Sequence, residues 1–264
     1  RKVEPQGIFE LIEKEKITMF CAAPTVLIGL TSAPVEQRAK TSWQINVFPA
    51  GAPPAAATIQ IVEGELGWSL THVFGLTETS PFIAICEPRP EHRDLSAAES
   101  AALKACQGVE LVSSGELRVV DEGGHEVAHD GATLGEITVR GNVVMKGYYN
   151  DAEATAAAIK NGWFHSGDAA VVHPNGYVEI RDRFKDVIIS GGENVSSIEV
   201  EGCLLTHTAV QEVAVVGMPH EKWGESPHAF VVMQAGLEVS EDELKSHVRE
   251  NLAHFKTPQW VSFV

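Results

Sequence analysis

The chain has 264 residues, of which 44% are hydrophobic and 21% are charged, a composition typical of a folded globular protein. Its formal net charge of −16 repels phosphate backbones, which argues against binding to nucleic acid or to anionic membranes. The most apolar run, residues 17–30, is too short to span a bilayer and contains Pro24. We therefore predict no transmembrane segment.

The four cysteines, Cys21, Cys86, Cys106 and Cys203, are scattered, with no Cys-x-x-Cys pair and no Cys/His metal spacing. This distribution predicts a reduced, cytoplasmic compartment, thiols that act as small core residues, and no metal ligation by cysteine. The chain opens with Arg1 rather than Met and has no secretory apolar segment at its start. We expect it to begin within a longer protein.

In the first part of the chain, helix-like and strand-like segments alternate. Apolar spacing predicts helices at 5–16 and 24–30, a third helix carrying Ile59, Val62 and Leu66, and strands at 17–20, 45–48 and 71–74. Such alternation is typical of βαβ units and a parallel sheet. We expect residues 1–110 to be part of a larger N-terminal α/β domain.

The pattern changes after a helix that Ser96 and Glu99 predict as a capping box. Short β-prone segments separated by glycines predict strands at 117–120, 137–140, 143–145, 169–172 and 177–180. A hairpin turn is predicted at Asn175-Gly176 and one inserted helix at 151–159. Residues 111–184 are therefore expected to form a small antiparallel β subdomain of the N-terminal domain.

Residues 185–264 show a third pattern, with strands predicted at 187–190, 210–216 and 229–233 and helices begun by Ser197 and by Ser240 with Glu243. The predicted fold class is α/β: a partial N-terminal α/β domain with a small antiparallel β subdomain, followed by a compact α+β C-terminal domain. Large indole rings favour burial, so Trp163, Trp223 and Trp260 are expected to anchor cores.

The segment from Phe74 to Thr79 follows a predicted parallel strand, and open α/β sheets bind ligands at the carboxyl ends of their strands. Phe74 offers a ring that can lie against a purine, Thr77 a hydroxyl for a phosphate oxygen, and Glu78 a hard oxygen ligand for Mg²⁺. Taken alone, the Gly75-Leu76-Thr77-Glu78 turn is as typical of a helix cap.

Small residues after another predicted strand, Gly51, Ala52 and Pro53, allow a flat adenine to approach the backbone, or they simply connect to the next helix. Asp168 follows Ser166-Gly167, where its two oxygens can accept hydrogen bonds from the hydroxyls of a ribose. The alternative for Asp168 is an ordinary Asx turn.

Arg183 presents a rigid fork of donors that suits a ribose or phosphate oxygen; the alternative is a surface ion pair with Asp182 or Asp186. Lys185 is a solvated charge or, at a boundary between domains, a residue that absorbs a hinge rotation. Gly191 and Gly192 predict a tight turn, and they would also leave a narrow channel beside a strand for a pantetheine arm.

Together these segments resemble the AMP-forming acyl-CoA synthetases, the adenylate-forming acyl-activating enzymes. The resemblance runs through nearly the whole chain and is carried by Phe74-Gly75-Leu76-Thr77-Glu78, Met145-Lys146-Gly147-Tyr148, Asp168 and Arg183 in this order. Two further segments, 186–194 and Trp223-Gly224-Glu225-Ser226-Pro227, are most similar to those of medium- and long-chain fatty-acyl or related short-acyl CoA ligases.

The resemblance implies a two-step reaction with ATP, Mg²⁺ and CoA, in which a carboxylic acid becomes acyl-AMP and the CoA thiol then displaces AMP. It implies adenine binding near Gly51, Ala52, Pro53, Phe74 and Gly75. It also implies that Thr77 contacts a phosphate and that Glu78 binds the magnesium ion. Asp168 would bind the ribose, and Arg183 the ribose and phosphate. Lys185 would occupy the hinge, and Gly191 and Gly192 would line the CoA route.

The chain lacks two expected elements: a Ser/Thr/Gly-rich triphosphate loop and a Pro-Lys-Thr…Gly-Lys segment with the lysine that assists adenylation. We therefore expect a C-terminal-half fragment with little or no activity alone. Exposed apolar surface around residues 1–70 would favour self-association into homo-oligomers. Two alternatives stay open: a CoA ligase for an aryl or other organic acid, and a non-catalytic module that binds a nucleotide or CoA.

Overall fold

The computed structural model describes residues 4–264. The chain divides between Ile180 and Arg181 into two compact units. Each unit has a hydrophobic core of its own, as expected for structures that bury their apolar faces independently. The mixture of helices and sheets confirms the α/β class predicted from the sequence.

The first unit begins with a parallel sheet of order β1-β2-β3. Its strands are β1 (Met19–Ala22), β2 (Asn46–Pro49) and β3 (Ser69–Leu70), and the helices of this region are α1 (Pro5–Glu15), α2 (Pro24–Thr31), α3 (Ala56–Gly64) and α4 (Ala97–Ala105). The core between these layers contains Leu27, Ile45, Ile59 and Trp68. Ser96 and Glu99 form the predicted capping box at the start of α4, which satisfies backbone donors that the helix leaves open.

A second, antiparallel sheet of order β4-β5-β6 follows. It comprises β4 (His72–Gly75), β5 (Phe82–Cys86) and β6 (Val109–Glu110). The strand predicted at 71–74 was expected to be parallel, and this was wrong, because β4 pairs antiparallel with β5. Parallel pairing needs a long crossover, whereas here the chain returns through one short 3-10 helix, Thr77–Thr79.

The third sheet of the first unit is antiparallel, with the order β11-β10-β8-β7 and β9 beside β10. Its elements are β7 (Glu116–Val120), β8 (Gly135–Arg140), β9 (Ile159–Lys160), β10 (Trp163–Val172) and β11 (Val178–Arg183), with α5 (Ala152–Ala158) inserted. The hairpin at Asn175-Gly176 is confirmed by the hydrogen bond from the Gly176 N–H to the His173 carbonyl, 2.8 Å.

No strand forms at 143–145, contrary to the prediction. The Val144 N–H closes a turn onto the Gly141 carbonyl at 3.2 Å, and the Met145 N–H donates to the Glu78 carbonyl at 2.8 Å. These backbone donors are therefore engaged in a turn and in a contact with a segment distant in sequence, so they are not available to a neighbouring strand.

The second unit is an α+β structure with the sheet order β13-β12-β15-β14 and β16 parallel to β15. Its elements are β12 (Ile188–Ser190), β13 (Glu193–Val195), β14 (Val210–His220), β15 (Gly224–Met233), β16 (Trp260–Phe263), α6 (Ser197–Leu204) and α7 (Glu241–Asn251). Ser196 and Ser240 cap the two helices by accepting from the N–H of Glu199 and Glu243.

Two of the three tryptophans expected in cores lie at the surface: Trp223 is 43% exposed and Trp260 is 36% exposed. Trp163 is half-buried, with the guanidinium groups of Arg118 and Arg140 at 4.5 and 4.6 Å from its ring. Hydrophobicity alone overestimates indole burial, because cations cover aromatic faces favourably in contact with water.

Of the cysteines, Cys86 and Cys106 are buried, Cys203 is intermediate and Cys21 is exposed, so the prediction of core thiols was wrong for Cys21. Between residues 4 and 264, no helix has the length and apolar character needed to cross a membrane.

Candidate functional site

The carboxyl end of the parallel sheet carries the first group of predicted site residues. Gly51 and Ala52 are exposed just after β2, and Pro53 is half-buried. Phe74 lies in β4, which directly follows β3, and its side chain is half-buried. This edge is where open α/β sheets present their loops to ligands.

The turn that carries Thr77 and Glu78 is fixed by a buried threonine. Thr79 is 0% exposed, and its hydroxyl accepts from the Leu76 N–H at 2.9 Å and donates to the Pro81 carbonyl at 2.8 Å. With Thr79 turned inward, Thr77 is exposed and Glu78 is half-buried. Two polar side chains are thus presented outward from a rigid turn.

Gly75 is required by the close approach of two backbones. A Cβ atom at this position would lie 1.7 Å from the Pro81 carbonyl oxygen, far inside van der Waals contact, so no other residue fits. The structure accounts for Gly75 through the shape of the turn, and a contact of Gly75 with a cofactor stays a prediction.

Tyr148 contacts Glu78, and sequence reasoning did not assign it a role. Its hydroxyl donates to Glu78 Oε1 at 2.9 Å, and burial raises the pKa of Tyr148, with the Glu78 carboxylate acting in the same direction. The Tyr148 N–H donates to Thr155 Oγ1 of α5 at 2.9 Å. Helix α5 therefore holds Tyr148, and Tyr148 holds Glu78. In the sequence, only the place of Tyr148 in the segment Met145-Lys146-Gly147-Tyr148 could have pointed to this role.

Asp168 lies in a bulge inside β10 rather than in a turn before a strand, since the register of β10 against β8 shifts between His165 and Ala169. Glu136 of β8 spans this bulge. Its carboxylate accepts from the Gly167 N–H at 3.0 Å and contacts His165 Nδ1 at 2.6 Å. Asp168 is 3% exposed, and its backbone N–H donates to Ser166 Oγ at 3.0 Å. Bulges often re-aim a side chain next to a functional site.

His72 is a structural residue. Its Nδ1 faces the carbonyl oxygens of Ala105 and Cys106 at 3.1 and 2.9 Å. Burial lowers the pKa of His72 to about 4, which keeps the ring neutral and lets Nδ1–H donate to these carbonyls.

Arg183, at the end of β11, and Lys185, in the turn before β12, are both exposed. The neighbouring Asp182 is buried, and its carboxylate accepts from the N–H of Arg183 at 2.8 Å and of Ser197 at 2.6 Å. Asp182 thus ties the segment that carries Arg183 to the start of α6, as a carboxylate at a helix N-terminus does.

Gly191 and Gly192 form the two-residue loop of the β12–β13 hairpin, in which Ser190 pairs with Glu193. Their φ angles of +63° and +89° are those of a type I′ turn, which strongly favours glycine. The predicted tight turn is therefore present. Trp223 packs on it: the Gly191 N–H donates to the Trp223 carbonyl at 2.8 Å, and the indole ring would lie 2.9 Å from a Cβ at Gly191.

The AMP-binding enzyme family matches residues 1–149, more than half of the chain, and the AMP-binding enzyme C-terminal domain matches residues 199–264. This chain belongs to the AMP-binding enzyme family. The two matches confirm the family resemblance predicted from the sequence, and they cover residues of both units.

Several curated relatives that resemble this chain are CoA ligases by name. The chain is 47% identical to 4-hydroxybutyrate--CoA ligase 2 of Metallosphaera sedula over 262 residues, which cover 99% of the chain and 47% of the relative. It is 42% identical to the peroxisomal trans-cinnamate:CoA ligase of Petunia hybrida, over 100% of the chain and 46% of the relative. The chain thus spans about half the length of the curated relatives it matches.

Solved structures with a similar fold include an amide bond synthetase and a CoA ligase. The amide bond synthetase McbA from Marinactinospora thermotolerans has a TM-score of 0.86 and 30% identity, over 100% of the chain and 51% of that structure. The anthranilate CoA ligase AuaEII in complex with anthranoyl-AMP has a TM-score of 0.85 and 26% identity, over 98% of the chain and 48% of that structure.

Proposed function

We propose that this chain is part of an acid–CoA ligase that forms acyl-CoA from a carboxylic acid, ATP and CoA through an acyl-AMP intermediate. In the first step the carboxylate attacks the α-phosphorus of ATP and pyrophosphate leaves. In the second step the CoA thiol, losing its proton, attacks the acyl carbon and AMP leaves. The observation that carries the proposal is the Glu78 carboxylate, presented outward from the Thr79-fixed turn and held by Tyr148.

The residues of the Glu78 turn fit a magnesium–nucleotide complex. Mg²⁺ in nucleotide sites is bound by one or two carboxylates together with phosphate oxygens, and Glu78 supplies a carboxylate next to the exposed Thr77 hydroxyl. In this proposal Glu78 would hold the ion, which neutralises phosphate charge when bound, and Thr77 would donate to a phosphate oxygen. Tyr148 would orient Glu78.

Six residues of the first unit would recognise the nucleoside. Phe74 would stack on adenine, and the small residues Gly51, Ala52 and Pro53 would let the base approach the loop after β2. Asp168 would accept from the ribose hydroxyls, because an ionised carboxylate offers only acceptors; the Glu136-braced bulge supports this role. Gly75 would contribute to nucleoside binding by allowing the tight turn that follows β4.

The roles in the second unit are also proposals. Arg183 would bind the ribose and phosphate. Lys185, exposed in a turn, would absorb a rotation of residues 185–264 against residues 111–184. Residues 1–110 would be part of the large nucleotide-binding domain. Gly191 and Gly192 would border the CoA route, which the absence of side chains at the hairpin loop supports.

The acid is proposed to be a fatty acid, with an aryl or other organic acid as the alternative. One relative above is named for 4-hydroxybutyrate, an aliphatic acid, and the other for trans-cinnamate, an aryl acid, which supports keeping both alternatives. The cytoplasmic location and self-association stay predictions, and two relatives are peroxisomal by name.

Nucleotide binding is tested by calorimetric titration of the 264-residue chain with AMP, ATP and CoA in the presence of Mg²⁺. The Asp168→Ala variant is expected to lose AMP binding, whereas the matched control Asp130→Ala, in an exposed loop, is expected to bind like the unmodified chain. AMP binding that survives in Asp168→Ala would contradict the ribose assignment.

We further propose that this chain alone, at about half the length of its relatives, does not form acyl-AMP. Pyrophosphate release by the 264-residue chain, measured with and without a series of carboxylic acids, checks this. Robust acid-dependent release would refute the proposal of inactivity and support the ligase directly. A chain that binds AMP or CoA but shows no turnover even when completed to the full length of its relatives would favour the non-catalytic binding module.

A further inference from the structure

A cysteine at the end of α4 meets a histidine and a glutamate of the β10–β11 hairpin in the first unit. Each of Cys106, His173 and Glu179 offers one ligand atom, and these atoms all lie within 4.8 Å of one another. Within residues 4–264 this is the one such group of three converging side chains. We propose that Cys106, His173 and Glu179 form a Zn²⁺ site.

The backbone brings these residues to one face of the β10–β11 hairpin. The His173 N–H donates to the Tyr177 carbonyl at 2.8 Å, so His173 and Tyr177 are opposite each other and share a face. Glu179 follows Tyr177 by two residues along β11 and returns to the same face, because side chains alternate along a strand. His173 and Glu179 are therefore diagonal neighbours, with Nε2 and Oε2 at 2.6 Å.

Cys106 reaches the same face because the end of α4 is fastened to β11. The Gln107 N–H donates to the Val178 carbonyl at 2.9 Å, and the Val178 N–H donates to the Gly108 carbonyl at 2.8 Å. The Gln107 side-chain oxygen accepts from the Ile180 N–H at 2.5 Å. Cys106 is 6% exposed and packs with Tyr177. The thiol is thus held in place by backbone hydrogen bonds on its C-terminal side.

The chemistry of the three donors favours zinc. Zn²⁺ accepts thiolate, imidazole and carboxylate ligands, whereas Mg²⁺ and Ca²⁺ take oxygen ligands. In a tetrahedral site the donor atoms lie about 3.4–3.6 Å apart, from metal–ligand lengths of about 2.0–2.3 Å. On metal binding, the distance of 2.6 Å between His173 Nε2 and Glu179 Oε2 would lengthen. Any longer distance within the 4.8 Å group of ligand atoms would shorten. Side-chain rotation is enough for both changes.

Binding is balanced by proton release and leaves one coordination position open. The ion takes Cys106 as thiolate, so its proton passes to solvent, and takes His173 as neutral imidazole. His173 and Glu179 are each only partly buried, which gives the ion a path of entry, and water fills the fourth position. The ion would clamp the end of α4 to the β10–β11 hairpin.

A second histidine–glutamate pair in the same unit supplies a matched control. His165 Nδ1 and Glu136 Oε2 are also 2.6 Å apart, but no cysteine joins them in a ligand group within the described residues. If a His–Glu pair alone attracted the metal, both pairs would bind it. The proposal requires that the pair next to Cys106 binds and that the other does not.

The test is metal binding by the tag-free, reduced 264-residue chain, with Zn²⁺ measured by metal analysis after dialysis and Co²⁺ used as a spectroscopic probe. We expect about one equivalent of metal and a thiolate-to-Co²⁺ charge-transfer band. Cys106→Ser should abolish the band and weaken Zn²⁺ binding by more than the about 10- to 100-fold that loss of an outer partner costs. Glu179→Gln, which keeps a hydrogen-bonding group beside His173, should weaken binding while the band persists.

Cys21→Ser, at an exposed cysteine, and His165→Ala should bind like the unmodified chain. Circular dichroism of each variant in chelator verifies that it folds. The proposal is overturned if Co²⁺ binds without the thiolate band, if Cys106→Ser retains it, or if the folded chain binds no more Zn²⁺ than Cys106→Ser.

Discussion

The stability of the second unit is expected to fall with rising pH because of one carboxyl group, Glu201 of α6. Glu201 is partly buried, and its Oε1 accepts from the Val215 N–H at 2.8 Å. Burial raises the pKa of Glu201 to about 7, and the negative charge of Asp182 acts in the same direction, while the Val215 hydrogen bond acts against them. The folded unit therefore favours the protonated form.

The sign and size follow from the two pKa values. The folded value of about 7 lies above the ordinary value of 4.5, so the stabilising contribution is complete below about pH 4.5 and is lost as the pH rises through about 7. At about 1.4 kcal/mol per pH unit, the full loss is about 3 kcal/mol. Between about pH 5 and about pH 8 the loss is about 2–3 kcal/mol.

Replacement by a neutral isostere isolates this effect. Glu201→Gln keeps an oxygen for the Val215 N–H but cannot ionise, so it should stabilise α6 and β14 by about 2–3 kcal/mol more at about pH 8 than at about pH 5. Hydrogen exchange of these elements, compared between variant and unmodified chain at the same pH, measures the difference. Glu212→Gln, at an exposed position of β14, is the control.

A Glu201→Gln effect that is equal at both pH values would refute the argument, since a pH-independent change reports packing rather than ionisation. The same conclusion would follow if Glu212→Gln reproduced the pH dependence. That result would assign the dependence to the overall negative charge of the chain.

Three further changes test the packing and the site. Leu27→Ala, at a fully buried core position, should lower the free energy of unfolding of the first unit by about 2–5 kcal/mol in urea titrations. Tyr148→Phe removes a donor to Glu78, and a loss of about 1 kcal/mol should weaken calorimetric binding of magnesium–ATP about fivefold while metal-free AMP binding is unchanged. Gly191→Ala should destabilise the hairpin more than Gly192→Ala, because both have positive φ but only the first Cβ meets an indole ring, at 2.9 Å; equal melting temperatures would contradict this.

Elements with local signals could be predicted from the sequence. The capping box of Ser96 and Glu99, the cap of α7 at Ser240 and the hairpin turn at Asn175-Gly176 all appear as expected. Each depends on hydrogen bonds within a few residues, so the local residue types are sufficient. The family resemblance likewise depends on the order of motifs along the chain, and the comparisons confirm it.

The errors arose where the outcome depended on distant partners. The 143–145 segment is β-prone, but its Met145 N–H pairs with Glu78. Trp223 and Trp260 have large apolar side chains yet lie exposed at the surface. Side-chain burial and strand pairing depend on which surfaces the fold brings together, which local propensity does not encode.

By itself, the sequence of this chain determined its helix caps, its turns, the alternation of its first strands and helices, and its family. Only the tertiary structure decided that Tyr148 holds Glu78, that Glu136 braces the bulge at Asp168, and that Cys106 meets His173 and Glu179. The physical reason is separation along the chain: Tyr148 and Glu78, Glu136 and Asp168, and Cys106 and the His173–Glu179 pair are each tens of residues apart. Their encounter is enforced by strand pairing and core packing summed over the whole unit, not by any preference of the residues themselves.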